Sequence, residues 1–523
     1  MRKRIVSVCL VMIMALGLLA GCGKQSNEQV YDDNYRSYYE IFVYSFYDSD
    51  GDGIGDFNGV TEKLDYIQDM GFNGIWLMPI MKSTTYHKYD VVDYYDVDPE
   101  YGTMEDFEKL VKACHEKGID LTIDFEMNHS SSQNEWFVEA CDYLKTLASG
   151  EEPDSSKCPY VDYYHFTKDK VNNTYYQVPG TEWYYEGGFW SEMPDLNLEN
   201  GKVKTQFQDI AKFWIDKGID GFRMDAVVHF KENDTAFNTQ IMKEYYDYCK
   251  SLKSDFYMVS EAWSDLTTIT DYYASETPSM FNFDAGGPEG YLLKVVQGTC
   301  QADNFVDRMI KYQESFSSEN PDYIDAPFIT NHDMGRACNS LVHDLDKMKL
   351  EVGLLMTMSG NPFVYYGEEI GMSSKGTKDE NKRLPMVWAN NDDEGMTDGP
   401  KDADSDIEFH FDGVKEQLKD KDSLLNYYKR AIALRNENPE MARGTIAKVD
   451  ALCDGTQAAL TKTYKDSAIG IVYNTSEEEI TVDISGTELE NMKVNGSLTL
   501  DGSKISLKNG TLTMPARSIC ILK

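Results

Sequence analysis

Three acidic residues stand just where apolar, strand-like runs end. Asp225 closes DKGIDGFRMD (216–225), Glu261 follows the run 255–260, and Asp333 ends TNHD (330–333). Another such run ends in Asp124, with Asn128 and His129 just beyond, and His332 precedes Asp333. Arg223 lies two residues before Asp225, so on a strand both side chains leave the same face. Carboxylates that converge repel one another and at least one pKa rises, whereas a neighbouring guanidinium keeps a carboxylate ionised. One lasting anion beside one carboxyl that still holds its proton is the pairing that glycosidic bond cleavage uses, as nucleophile and general acid. A single strand-end acid is an ordinary surface group; several acids at strand ends, flanked by His and Arg, form a candidate site.

Something must bring these ends to one place. Runs 39–44, 74–80, 119–125, 219–225, 255–260, 280–284, 323–329 and 362–366 read as strands. Between most of them lie amphipathic stretches. Val60, Leu64, Ile67 and Met70 share a helical face that Gly71 stops. Thr103 can cap a helix carrying Phe107, Leu110, Val111 and Cys114, and Val203, Phe207, Ile210 and Trp214 share another face. EKGIDLTIDF (116–125) echoes DKGIDGFRMD: a helix end, a Gly, then a buried strand closing in an acid. Alternation of this kind implies a parallel sheet, and this many units imply an α/β protein of (β/α)8 TIM-barrel class, with reactive groups at the C-terminal strand ends. The alternative, an open doubly wound sheet, lacks its Gly-rich phosphate turn after the first strand. The expected organisation is a catalytic barrel over 38–128 and 193–442, an inserted subdomain over 129–192 with no clear helix period, and a small antiparallel β domain over 443–523.

The segments DFEMNH (124–129), GFRMDAVVH (221–229), SEAW (260–263) and TNHD (330–333), with MPDLN (193–197), resemble the signatures of the alpha-amylase family of glycoside hydrolases, in order and spacing, from about Tyr38 to the C-terminus. The resemblance implies Asp225 as nucleophile, Glu261 as general acid and base, and Asp333 as the carboxylate that binds sugar hydroxyls and stabilises the transition state. It implies that His129 and His332 bind hydroxyls of the same sugar, that Arg223 holds Asp225 charged, and that His229 contacts substrate. Two displacements imply retention of the α configuration, with carboxylates ~5 Å apart. YHKYD (86–90) is similar to the segment whose His and Tyr line the cleaved sugar's pocket, which gives His87 and Tyr89; Lys88 stands where Gly is usual. Asp379 and Arg383, in DENKR, resemble the family's pair that holds the next sugar, with a surface ion pair as the alternative. Ala226 after the nucleophile resembles α-1,4-specific members, and MPDLN lies between the patterns of α-amylases and oligo-1,6-glucosidases. The expected substrate is therefore an α-1,4-glucan. An α-glucosidase, an oligo-1,6-glucosidase or a 4-α-glucanotransferase of the same family is the enzyme alternative. A glucan-binding protein is the non-enzyme alternative, though such a protein would lose the three acids kept here.

DSDGDGIGD (48–56) sets Asp48, Asp50, Asp52 and Asp56 at close intervals, with Gly53 for a turn. Hard oxygen donors so arranged suit Ca2+, and the Ile54 carbonyl can join them. The twelfth position is Gly59, not Glu, so a full helix–loop–helix site is not expected. The resemblance also implies a second, weaker calcium site from Asn128, Asp195 and the backbone of His229.

The rest of the sequence bears on location and partners. Lys and Arg total 50 against 89 Asp and Glu, a formal charge of −39 that argues against nucleic-acid partners. Met1-Arg2-Lys3-Arg4 and the apolar run Ile5 to Ala20 form a signal segment, shorter than the ~20 residues of a membrane span. Leu19-Ala20-Gly21-Cys22 resembles a bacterial lipobox, which implies cleavage after residue 21, lipidation of Cys22 and a tether over 22–37, placing the protein on the outer face of the cell membrane. Of ten cysteines, Cys9 leaves with the signal, and the eight beyond Cys22 form no CxxC pair. Cys141 and Cys158 could bridge, but buried free thiols are the simpler expectation. Oligomeric state stays open, with a monomer as the default.

Overall fold

Short apolar runs divided by helices fold into seven parallel strands: β1 (Tyr38–Ile41), β2 (Gly74–Leu77), β3 (Asp120–Phe125), β4 (Gly221–Met224), β5 (Tyr257–Ser260), β6 (Ser279–Met280) and β7 (Phe363–Tyr365). They hydrogen-bond in the order β6-β5-β4-β3-β2-β1-β7. The computed structural model describes residues 33–391 and 393–523. The expected signal segment, Cys22 and most of the expected tether lie outside the described residues. Within the stretch assigned to the tether, the chain is already fastened at Asn34 and Arg36: Asn361 accepts from the Arg36 N–H and donates to the Asn34 carbonyl.

Segment 326–328 closes the sheet, because Ala326 bridges to Phe281 beside β6 and Phe328 bridges to Phe363 of β7. This is the eighth stave of the barrel, but it is not the regular strand expected over 323–329. Pro327 has no N–H to give to a ladder, so only single bridges form. The run 280–284 is likewise cut to two residues, because the Asn282 side chain accepts from the Ala285 N–H and turns the chain. The interior is filled by aromatic rings: Tyr38 stacks on Phe363 at 4.6 Å and on Tyr257 at 5.3 Å, and Trp76 leans on Phe281 at 5.4 Å.

The helices follow the sequence pattern. In Met104–Glu116 a capping box joins Thr103 and Asp106, and Phe107, Leu110, Val111 and Cys114 are buried. Gly71, at φ 96°, ends Leu64–Met70 in a left-handed cap.

The insertion departs from expectation. It contains a helix, Glu135–Thr146, burying Phe137, Ala140, Cys141 and Leu144, besides a three-stranded sheet of Phe166–Thr167, Tyr175–Gln177 and Tyr184–Glu186. The surrounding run of Tyr and Trp hid the period, since aromatics off the buried face blur a hydrophobic stripe. The single bridge His129↔Asp195 fastens the two ends of the insertion to each other, and Tyr164↔Leu196 ties its middle to the returning chain.

The tail forms a five-stranded antiparallel sheet and a three-stranded one. Its strands alternate as a two-sided sheet must. Ile471 and Tyr473 join the large core shared with the barrel, whereas Val472 joins a second core with Leu512 and Met514. All eight cysteines among the described residues are free.

Candidate active site

The parallel register sets the site. Arg223 is level with Asp124 on one side and Val259 on the other, and Met224 is level with Ser260. Asp225 and Glu261, one residue further on each strand, therefore leave the barrel at the same height. The Arg223 guanidinium, 1 % exposed, joins them: Nη1 lies 2.5 Å from Asp225 and 2.6 Å from Asp124, and Nη2 lies 2.8 Å from Glu261. Trp76 supports the group from below, donating from Nε1 to Asp124 at 3.0 Å. Three carboxylates around one cation cannot all be comfortably ionised. Burial first, then the charges of Asp225 and Asp333, push Glu261 up to about 7, against the opposing pull of Arg223. Asp124 is raised as well, chiefly by burial.

Directly after Asp225 the chain turns through Ala226 in the left-handed region, at φ 50° and ψ 38°. For an L-residue this costs about 1–2 kcal/mol, and a β-branched side chain would fit worse. The turn aims the Ala226 N–H at Glu261 Oε2, 3.2 Å away.

Asp333 is held differently. Arg383 Nη2 lies 2.7 Å from one of its oxygens and His332 Nε2 3.0 Å from the other. Burial would raise this carboxyl, but the His332 and Arg383 charges outweigh it and hold Asp333 well below the usual carboxylate range. Tyr89 lies over the His332 ring at 5.6 Å, with its hydroxyl 2.6 Å from Nε2. His129 Nε2 donates to the Tyr89 carbonyl at 3.2 Å, and burial lowers its pKa, which keeps the ring neutral. Burial, then the Arg383 charge, lowers His87 to about 4. His87, Tyr89, His129, Arg223 and His332 thus gather with the three acids.

Lys88 explains how the His87–Tyr89 segment is fixed. It adopts φ 66°, is buried, pairs with Asp98 at 3.2 Å and with Glu100, and covers the Tyr101 ring. The left-handed backbone, where Gly is the easy residue, is here stabilised by a buried ion pair.

Two expectations change. Asp379 and Arg383 do not pair with each other: Asp379 is largely exposed and pairs with Lys382 at 2.8 Å, while Arg383 serves Asp333 and Tyr86. In the acidic loop, oxygens of Asp48, Asp50 and Asp56 lie within 4.8 Å of one another, but Asp52 stands outside this group, accepting instead from the Ile54 N–H. The converging oxygens are hard donors on a loop turned by Gly51 and Gly53, a set that fits Ca2+. Asp56 also caps the helix Phe57–Glu62 by accepting from the Gly59 N–H.

Asn128 and Asp195 meet at 3.4 Å. With His229, they line a cleft of about 590 Å3 that also includes Phe189. Phe189 packs edge-on against both His129 and His229, so this cleft borders the acidic centre. His229 itself bonds Glu232 at 2.6 Å.

The sequence reading gave no role to Glu40, Tyr86 or Glu126. Glu40 bonds His332, and Tyr86 bonds Arg383. Glu126 is buried with both oxygens unpartnered, and burial holds its pKa well above the ordinary carboxyl value. The available signal for Glu40 and Glu126 was a charged residue inside an apolar run, since buried charge must be paired or neutralised.

Comparisons with known proteins agree with this geometry. A family model described as alpha amylase, catalytic domain, matches residues 40–444. The chain is 38 % identical over 458 residues to Alpha-amylase 3 of Dictyoglomus thermophilum, covering 85 % of each protein. It is 29 % identical over 491 residues to an oligo-1,6-glucosidase of Parageobacillus thermoglucosidasius, covering 78 % of this chain and 84 % of that one. The solved structure of Eubacterium rectale Amy13B matches with a TM-score of 0.91 and 42 % identity, over 94 % of this chain and 96 % of that one.

Proposed function

The chain belongs to the alpha-amylase family of glycoside hydrolases, and on that premise we propose that it cleaves α-1,4-glucosidic bonds of starch, maltodextrins or maltooligosaccharides with retention of configuration. The observation that carries this reading is the single guanidinium spanning Asp225 and Glu261. Carboxylates so close leave no room for a water between Asp225 and the anomeric carbon, which favours double displacement over inversion.

In the first step an Asp225 oxygen attacks the anomeric carbon while Glu261 gives its proton to the glycosidic oxygen. The bond to the leaving sugar breaks and a β-glycosyl ester forms on Asp225. In the second step Glu261, now a carboxylate, takes a proton from water as the water oxygen attacks the same carbon. The ester breaks and an α-configured product leaves. Asp333, held as an anion, accepts from sugar hydroxyls as positive charge develops on the ring. His129 and His332 hydrogen-bond hydroxyls of the same sugar, Tyr89 stacks on it, and His87 lines its pocket. His229 and Phe189 border the leaving-group side. Arg383 acts here through Asp333, and Asp379 reaches the glucan only further out.

Ca2+ held by Asp48, Asp50 and Asp56, with the Ile54 carbonyl and at longer range Asp52, would neutralise their mutual repulsion and stiffen the loop. The weaker second site at Asn128, Asp195 and His229 would tie the insertion to the barrel. Lipid on Cys22 would hold the enzyme at the outer face of the cell membrane, where glucans too large to enter are met.

The test is product analysis on soluble starch, pullulan and maltoheptaose, with Asp225→Asn alongside. Maltooligosaccharides from starch, absent with the variant, are expected. Glucose or longer transfer products from maltoheptaose, with starch untouched, would move the assignment to a glucosidase or glucanotransferase. Binding without any product would leave a glucan-binding protein.

A further inference from the structure

β1 carries one charged residue in an apolar run, Glu40, and it is 1 % exposed. One of its oxygens lies 2.6 Å from His332 Nδ1. On the far side of the same ring, Nε2 faces Asp333 at 3.0 Å and the Tyr89 hydroxyl at 2.6 Å. An ionised carboxylate only accepts, and a neutral imidazole has a single N–H. A neutral ring could therefore serve one of its two carboxylates and would turn a lone pair toward the other, without water to soften the contact. The Tyr89 hydroxyl could donate to a bare Nε2, but the Asp333 oxygen at 3.0 Å would still face that lone pair, so both nitrogens donate. Between Glu40 and His332 the imidazole is the stronger base, so the proton belongs on the ring.

We propose that Glu40 is a positioning residue for Asp333: it accepts the Nδ1 proton, keeps His332 an imidazolium, and so supplies the fixed cation that, with Arg383, holds Asp333 ionised and in place. The proposal rests on the reading of Asp333 as the carboxylate that meets the sugar.

The groups around the ring support it from every side. Glu40 comes from β1, the Trp76 ring meets it edge-on from β2 at 5.6 Å, and Tyr89 covers its face. Arg383 Nε donates to the His332 carbonyl at 3.2 Å, and Asp124 and Glu261 both feel the charge of the ring. Burial lowers the imidazole's proton affinity, yet Asp333 and Glu40 together outweigh it and raise His332 to about 9. The arrangement also gives His332 a second task. Its charge opposes the rise of the Glu261 pKa, so Glu40 tunes the general acid from a strand that carries none of the three acids.

The test uses the intact enzyme labelled with 15N-histidine, the His332 signal being assigned by its loss in His332→Gln. In the unaltered protein His332 is expected to stay protonated beyond pH 8. Glu40→Gln keeps the shape and an acceptor for Nδ1 but removes the charge. Its His332 midpoint should fall by at least about one pH unit, a tenfold loss of proton affinity, while the other histidines titrate as before. Its kcat/KM should fall more at pH 8 than at pH 5.5, where the ring is protonated in either protein. A neutral His332 at pH 7 in the unaltered enzyme would overturn the proposal without any variant. An unmoved midpoint in Glu40→Gln would do the same, as would an equal loss of activity at both pH values, which marks mere packing. An enzyme inactive on every glucan but with the expected titration would instead sink the catalytic reading and leave the electrostatic arrangement standing.

Discussion

Buried charge is handled in two ways in this protein. At the barrel mouth the acids of the centre meet ionisable side chains: Arg223 meets Asp124, Asp225 and Glu261, and Asp333 meets His332 and Arg383. At the seam between barrel and tail, the cations meet neutral oxygen. Lys462 donates to the carbonyls of Thr357 and Met441 and to Ser359 Oγ. Arg435 donates to the carbonyls of Met356, Met358 and Gly360. Apart from Met441, these acceptors cluster at the end of the helix Leu345–Thr357, where the last carbonyls lack helical partners and favour positive charge. Carbonyl partners cannot take up a proton, so no proton is shared across these contacts of the seam. Carboxylate partners can, so the mouth holds a set of coupled protonation states that chemistry can use. Perturbed acids in a cleft thus mark function here, while equally buried cations at the seam mark assembly.

Substitutions should separate the two regions. Asp225→Asn or Glu261→Gln should lower kcat/KM on soluble starch by about 10^4-fold or more, with little change in the melting midpoint; a modest loss would place the reacting groups elsewhere. Lys462→Met should do the reverse. It leaves buried acceptors without a donor, at about 1–3 kcal/mol, so thermal unfolding should come earlier while kcat/KM at 25 °C stays within about twofold, since the seam touches no reacting group. A variant of Lys462 that kept its stability but lost activity would erase the distinction.

Calcium sharpens the comparison from a third place. Removing the ion with a chelator should lower the melting midpoint by an amount that reflects roughly 3 kcal/mol at a hundredfold excess over Kd. Asp48→Asn with Asp56→Asn should abolish that response, and a midpoint indifferent to chelator would exclude a stabilising ion in this loop. The smallest effect is one of pH. The general acid must hold its proton, and Glu261 is raised to about 7, so kcat/KM should fall as pH rises through that value. Glu261→Gln, which has no proton to lose there, should lack this limb in its residual activity.

Helix caps and most strands were legible in the sequence because each rests on local chemistry, a period, a cap or a Gly stop, and the four acid-bearing segments were legible by their resemblance to family signatures. Asp225, Glu261 and Asp333 could be named because strand ends in a barrel converge whatever the loops do. What was not legible depended on neighbours far along the chain. Glu40 reads as one residue of YEIFVY until the fold brings His332, almost three hundred residues on, to its side. Arg383 was placed beside Asp379 by the family resemblance, yet its partner is Asp333. The eighth stave was misread as a regular strand because the apolar run outweighed Pro327 in its middle. The helix Glu135–Thr146 was missed because Trp136 and Tyr143 lie off its buried face and interrupt the stripe.

The central claim is that Asp225 attacks the anomeric carbon and that a second displacement restores its configuration. The direct measurement is proton NMR of the first reducing ends released from soluble starch, before mutarotation, with the enzyme and with Asp225→Asn. The account requires α-anomers to appear first, and none above background from the variant. First-formed β-anomers, or α-anomers released undiminished by Asp225→Asn, would contradict it.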